Sequence, residues 1–251
     1  MTIHTLKYST ELSDESPIVF ALPGLVGAGE QTRMNNILED LAKIGTTGIL
    51  IYYAQTTRET EKTIKCRFNF DQVTEEITRT IEKELSSLKA NRNRIGLISN
   101  SISAIPATKI LANSNSGFNI SVYSSISPLL GWKYFARPEL RKLFEEGADI
   151  PISSPEEKKA GIIRLIPRDL VSHLAGINLF EELDHLEYKS NGAKVLTVMG
   201  KRDNSSSPDS IREYHKRIGG SPENLIELDA GHDVMGSDHY IIDFMARNLS
   251  K

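Results

Sequence analysis

The chain has 251 residues, with 30 Lys and Arg against 33 Asp and Glu, a formal net charge of −3 and 39% hydrophobic content. That suits one substantial core, and the absence of a basic block excludes the electrostatic footprint of nucleic-acid binding or of a polybasic membrane patch. The single cysteine, Cys66, excludes an internal disulfide and every Cys-based zinc pattern, which leads us to expect a cytoplasmic protein.

In chain order, Met1 to Glu15 lacks the basic start and apolar run of a secretory leader, and Thr2 to Tyr8 reads as an antiparallel edge strand. Short β-branched runs follow at Ile18 to Leu22, Gly48 to Tyr53, Ile95 to Ser99, Ile120 to Tyr123, Val195 to Met199 and Leu225 to Leu228. They are too short for helices and read as buried parallel strands. Between and after them, Gln31 to Ile44, Phe70 to Leu88, Ala104 to Ala112, Pro208 to Ile218 and His239 to Leu249 carry apolar residues at three-to-four-residue spacing. The alternation predicts an α/β fold with a doubly wound, mostly parallel sheet. The longest uncharged stretch, Ala112 to Trp132, is broken by serines, asparagines and Pro128, so no membrane span is expected.

From Tyr123 to Val195 the chain is far longer than a simple crossover requires. Pro138 to Glu146, Pro155 to Ile166, Pro167 to Ala175 and Asn178 to Tyr188 each open on a proline or a capping Asn, as helices do. The expected organisation is a core of residues 1–127 and 187–251, with 128–186 inserted as a helical cap over the carboxyl ends of the strands.

Gly24, Gly27 and Gly29 form a glycine-rich turn between a strand and a helix, as in a dinucleotide site. Their order is G-x-x-G-x-G rather than G-x-G-x-x-G, and the next strand runs into Ala54-Gln55-Thr56 with no acidic residue for a ribose. None of the eight tyrosines has a Lys four residues on, which excludes the short-chain reductase pattern. A tight turn of small residues is the better reading.

Arg94 to Pro106 is a buried strand that passes through a serine cluster directly into a helix. A nucleophile at the apex of such a turn needs small residues two before and two after it, because strand and helix pass closely there. Ser101 meets this test, with Ser99 and Ser103 at those positions; Ser99 and Ser103 themselves would have Leu97 and Ile105. Ser99 and Ser103 are thus expected to be small spacers that tolerate alanine. A hydroxyl needs a base to take its proton and an acid to orient that base. Asp203 and His232 supply these types just past the carboxyl ends of two predicted strands, where open α/β sheets place their sites.

Pro23-Gly24-Leu25, Ser99-Asn100-Ser101-Ile102-Ser103, Gly200-Lys201-Arg202-Asp203 and Gly231-His232-Asp233, in this order, resemble the motifs of the α/β-hydrolase superfamily over nearly the whole chain. The resemblance implies a Ser101, Asp203, His232 triad, with the backbone N–H groups of Leu25 and Ile102 as oxyanion donors. Ile102 also fits on physical grounds, since it opens a helix at the positive end of its dipole. The pattern departs from the family in lacking both glycines of G-x-S-x-G and in carrying Pro23 where histidine is frequent. The small-residue elbow is similar to that of the bacterial luminescence acyl-transferases, which are acyl-carrier-protein thioesterases; that likeness covers the elbow alone.

His232, Asp233, Asp238 and His239 crowd one loop, but without H-E-x-x-H or H-x-x-E-H spacing. We expect no metal and no cofactor. His215 reads as part of a solvated helix face, and His173 and His185 as surface or packing residues of the insertion. Trp132, Tyr134, Phe135, Leu140, Leu143 and Phe144, then Ile162, Ile163, Leu165, Ile166, Leu170 and Leu174, give the insertion apolar residues for an acyl group or for its own packing.

The expected function is hydrolysis of an ester or thioester of an apolar acyl group through an acyl-serine, on a small-molecule partner that could be carrier-bound. The alternatives are acyl transfer by the same residues and a hydrolase-like protein that only binds a ligand.

Overall fold

The computed structural model describes residues 3–9, 16–24, 27–53, 55–58, 60–67, 69–88, 94–113, 117–131, 138–151, 153, 155–185 and 192–249. Its main sheet has seven strands. In chain order these are β1 (His4–Tyr8), β2 (Ile18–Leu22), β3 (Thr47–Tyr52), β6 (Ile95–Asn100), β7 (Ile120–Ile126), β10 (Lys194–Gly200) and β11 (Leu225–Leu228). Their spatial order is β1-β3-β2-β6-β7-β10-β11. All neighbours run parallel except β1, the antiparallel edge. Each strand lies close to its expected bounds, save that the one from Ile120 continues to Ile126 rather than ending at Tyr123.

The sheet is apolar on both faces because helices cover both. Along β2, Ile18, Phe20 and Leu22 join one buried cluster while Val19 and Ala21 join the other. The second face is covered by α1 (Gly27–Lys43), through Met34, Ile37, Leu38 and Leu41, and by α9 (Asp238–Leu249), through Ile241, Phe244 and Met245. The first is covered by α2 (Phe70–Ser87), α3 (Ala104–Ala112) and α8 (Pro208–Arg217). In α2 the stripe Phe70, Val73, Ile77, Ile81 faces the sheet, and Asn69 caps the helix by accepting from the N–H groups of Asp71 and Gln72.

The insertion differs from an all-helical cap. It contains α4 (Pro138–Glu145), α5 (Pro155–Lys159), α6 (Arg168–Gly176) and α7 (Leu179–His185), but also the strands β8 (Ile150–Pro151) and β9 (Ile163–Ile166). The helix expected over Pro155 to Ile166 stops at Lys159. Gly161 adopts a left-handed φ of 69°, and Ile163 then donates its N–H to the Lys62 carbonyl. β8 and β9 complete a second sheet, of order β4-β5-β9-β8, with a hairpin of β4 (Gln55–Arg58) and β5 (Thr63–Arg67) that lies in the first part of the core. Ile150, Ile166, Leu170, Val171 and Leu174 share one buried cluster with the main sheet, so the insertion packs as part of the same core. No helix among the described residues is long and apolar enough to cross a membrane.

Candidate active site

Ser101 sits where β6 becomes helix. Its φ is 55°, a conformation that costs a non-glycine residue about 1–3 kcal/mol and that surrounding packing must hold in place. A single 3-10 turn, Ser101–Ser103, leads into α3. Ser99 and Ser103, the flanking small residues, are fully buried, and each hydroxyl makes hydrogen bonds. Ser99 Oγ lies 2.7 Å from Tyr123 Oη, and Ser103 Oγ donates to the Pro23 carbonyl. Both are more than spacers, which revises the expectation that alanine is tolerated at either position.

His232 and Asp203 are brought together by the parallel pairing of β10 with β11, in which Gly200 stands opposite Leu228. The two loops beyond stay in contact: Lys201 and Arg202 donate backbone N–H groups to the carbonyls of Leu228 and Ala230. Gly200 permits this approach, since a Cβ there would stand 2.0 Å from the Gly231 carbonyl oxygen.

The three side chains form a chain of hydrogen bonds. Ser101 Oγ lies 2.9 Å from His232 Nε2, and His232 Nδ1 lies 2.8 Å from Asp203 Oδ2. The carboxylate accepts, so Nδ1 carries the proton and Nε2 is left as the acceptor for the serine hydroxyl. The Asp203 side chain is fully buried, and its Oδ1 accepts from the backbone N–H groups of Ser205 at 2.7 Å and Ser206 at 3.1 Å. The imidazole is partly exposed. Ile102 lies in the first turn after the elbow, where N–H groups have no acceptor within the helix. Leu25, the other expected donor, lies outside the described residues, as do Trp132, Tyr134 and Phe135.

The crowded histidine loop does not converge on one point. Asp238 accepts from Arg33 Nε at 2.6 Å, His239 Nδ1 bonds to the Gly236 carbonyl, and Asp233 is exposed. His215 is not on a solvated face: it is 2% exposed, with Nε2–H donated to the Ser221 carbonyl and Nδ1 2.9 Å from Thr197 Oγ1. Burial pushes its pKa down. Ile211, four residues before, puts His215 on the buried face of α8, but its polar type and the charged residues Arg212, Glu213, Lys216 and Arg217 hid this in the sequence. His173 accepts the Phe70 N–H and stacks on the Phe70 ring, a packing role. Sequence reasoning missed Tyr53, whose hydroxyl lies 2.8 Å from Ser103 Oγ, and Arg33, which holds the histidine loop. Only their apolar strand and helix surroundings were visible in the sequence.

No family model matches the chain, and no curated protein matches it in sequence. Solved structures do match. The chain is similar to Est1E from Butyrivibrio proteoclasticus, determined with ferulic acid bound, at 11% identity and a TM-score of 0.68, covering 99% of this chain and 96% of that one. It is similar to the monoacylglycerol lipase of Paleococcus ferrophilus at 13% identity and a TM-score of 0.67, over 99% and 100% of the two chains. It is also similar to the alpha/beta hydrolase GrgF from Penicillium sp. sh18 at 14% identity and a TM-score of 0.68, over the full length of both.

Proposed function

We propose that this chain, whose fold is that of the α/β-hydrolase superfamily, is a serine hydrolase that cleaves a small-molecule carboxylic ester through an acyl-serine intermediate. The observation that carries the reading is the unbroken hydrogen-bond chain from Ser101 through His232 to a fully buried Asp203, with the serine held at positive φ. In the forward step Ser101 Oγ attacks the ester carbonyl while His232 Nε2 takes its proton. Asp203 holds the imidazolium, and the oxyanion is met by the N–H of Ile102 and, in our reading, of Leu25. His232 then protonates the leaving alkoxide, and water repeats the sequence to release the acid. These steps draw on no cofactor.

An apolar acyl group remains part of the proposal, with narrower support than the sequence offered. Ile166, Leu170, Leu174 and the half-buried Leu143 are taken up by packing, which leaves Ile163, 49% exposed, and the half-buried Ile162 and Leu165 among the described residues. A series of p-nitrophenyl esters from acetyl to octanoyl, with matched thioesters, reads acyl preference and leaving-group chemistry together. An added alcohol or amine acceptor separates transfer from hydrolysis.

The test of the central claim is labelling by a fluorophosphonate, with ester turnover measured in parallel. Wild type should label and turn over; Ser101→Ala should do neither, with kcat lower by about 10⁴-fold or more. Undiminished turnover in Ser101→Ala sinks the assignment.

A further inference from the structure

We infer that Ser103, backed by Tyr53, positions the proposed oxyanion donor Ile102 by clamping the nucleophile elbow onto the carbonyl that follows β2; this rests on the serine-hydrolase reading above. Ser103 Oγ donates to the Pro23 carbonyl, and Tyr53 Oη lies 2.8 Å from Ser103 Oγ and 3.3 Å from that same carbonyl. A carbonyl only accepts, so the order of protons follows. Ser103 gives its proton to Pro23, and Tyr53 gives its own to Ser103 with the carbonyl as a longer second acceptor. Ser103 is 0% and Tyr53 2% exposed, so water does not compete for these bonds and each polarises the next.

The clamp acts next to one side of the proposed hole. Ser103 directly follows Ile102, one proposed oxyanion donor, within the same 3-10 turn. Pro23 directly follows β2, so the elbow is held against the end of a buried strand. The Pro23 carbonyl and the Gly24 N–H belong to one rigid peptide plane, so the bond holds that peptide together with the elbow. Donors in such a hole must meet the oxyanion at about 2.7–3.1 Å, and a displacement of an ångström at a reacting centre costs on the order of 100-fold in rate. Neither hydroxyl touches substrate in this scheme; Ser103 and Tyr53 are positioning residues.

The experiment compares wild type, Ser103→Ala, Tyr53→Phe and the double variant on p-nitrophenyl butyrate, with inhibition by a trifluoromethyl ketone, which forms a tetrahedral oxyanion on the serine. Ser103→Ala should lower kcat by about 10- to 100-fold with KM nearly unchanged. Affinity for the trifluoromethyl ketone should fall by a matching factor. The pH dependence of kcat should keep its position, because His232 and Asp203 are untouched. Tyr53→Phe should show a smaller loss, and the double variant should be little worse than Ser103→Ala, since Tyr53 acts through Ser103. A folded Ser103→Ala with wild-type kcat, or with a loss confined to KM and unchanged ketone affinity, overturns the clamp. If Ser103→Ala does not fold, wild-type kcat and ketone affinity in Tyr53→Phe overturn it instead. Turnover that requires Ser101 but ignores Ser103 and Tyr53 removes the clamp alone, whereas turnover that ignores Ser101 removes the serine-hydrolase reading and the clamp with it.

Discussion

Asp203 presents its two carboxylate oxygens to different partners, and this dictates what an amide would do in its place. Two backbone N–H groups hold Oδ1, so the carbonyl oxygen of Asp203→Asn settles there and its NH₂ turns to His232 Nδ1. A donor then faces a donor, the imidazole adopts the other tautomer, and Nε2 no longer accepts the serine proton. We expect Asp203→Asn to keep its melting temperature within a few degrees and to lose about 10⁴-fold in kcat. Asp233→Asn, at an exposed position, should change kcat by less than about threefold. Gly200 is the second residue on which the site turns. An added Cβ would lie 2.0 Å from the Gly231 oxygen and 2.5 Å from the Ala230 oxygen, both backbone atoms that cannot swing aside as a side-chain tip would. Gly200→Ala should push the histidine loop off Asp203, costing about 1–3 kcal/mol of stability together with most of kcat. A variant with wild-type melting and turnover would show that the loops have room to separate. Both residues were legible as motif positions, yet the contact at Gly200 was not, because it is made across chain segments by backbone atoms that leave no mark on residue type, and the two N–H groups on Oδ1, from the next residues of the same loop, depend on a backbone turn that residue type does not specify.

At the scale of elements, α1 does more than cover the sheet. Arg33, well inside that helix, donates to Asp238 at 2.6 Å, to Ser237 Oγ at 2.7 Å and to the Val234 carbonyl at 3.2 Å, tying the helix to the segment that follows His232. The same helix begins at Gly27, two positions after Leu25 in the sequence. Arg33→Met keeps the apolar stem and removes all three bonds. Ser237 is fully buried but also donates to the Val234 carbonyl, so one internal bond survives. We expect a loss of about 1–3 kcal/mol in urea unfolding and a several-fold fall in kcat, with Lys43→Met at the end of the helix as the exposed comparison. Helices such as α1 and α2 could be read from sequence because a buried stripe repeats every three to four residues. The hairpin of β4 and β5 could not. Gln-Thr-Thr-Arg and Thr-Ile-Lys-Cys-Arg are short and polar; β4 is a strand through its antiparallel pairing with β5, and β5 is anchored by its parallel partner β9, about a hundred residues away.

For the whole molecule, the main sheet was legible because its central strands are buried on both faces and announce themselves as apolar runs. What sequence could not supply was the order of strands and the identity of polar groups closed inside. His215 is the instructive one, since its stability effect is global and can be given a sign. Nε2–H is donated to the Ser221 carbonyl, which leaves Nδ1 to accept from Thr197, itself 3.0 Å from Ser125. This arrangement suits the neutral ring, with one donor and one acceptor. Burial lowers its pKa from the ordinary 6.5, a shift only partly offset by the Ser221 carbonyl and Glu223. The unfolded chain thus takes up a proton at a higher pH than the folded one. His215 contributes its full stability above the ordinary value, and that contribution drains away as pH falls below 6.5 and on through the lower folded value. The paired carboxylates Asp71, Asp149 and Glu227 also have lowered pKa values, so their contribution is lost only at more acidic pH, below the ordinary carboxylate range. Urea unfolding at pH 7.5 and 5.5 should show wild type less stable at the lower pH. His215→Gln cannot take up that proton and should be destabilised at pH 7.5, yet show a smaller drop between the two pH values. An equal drop in both proteins would assign the pH dependence to other groups and leave the buried imidazole without a part in it.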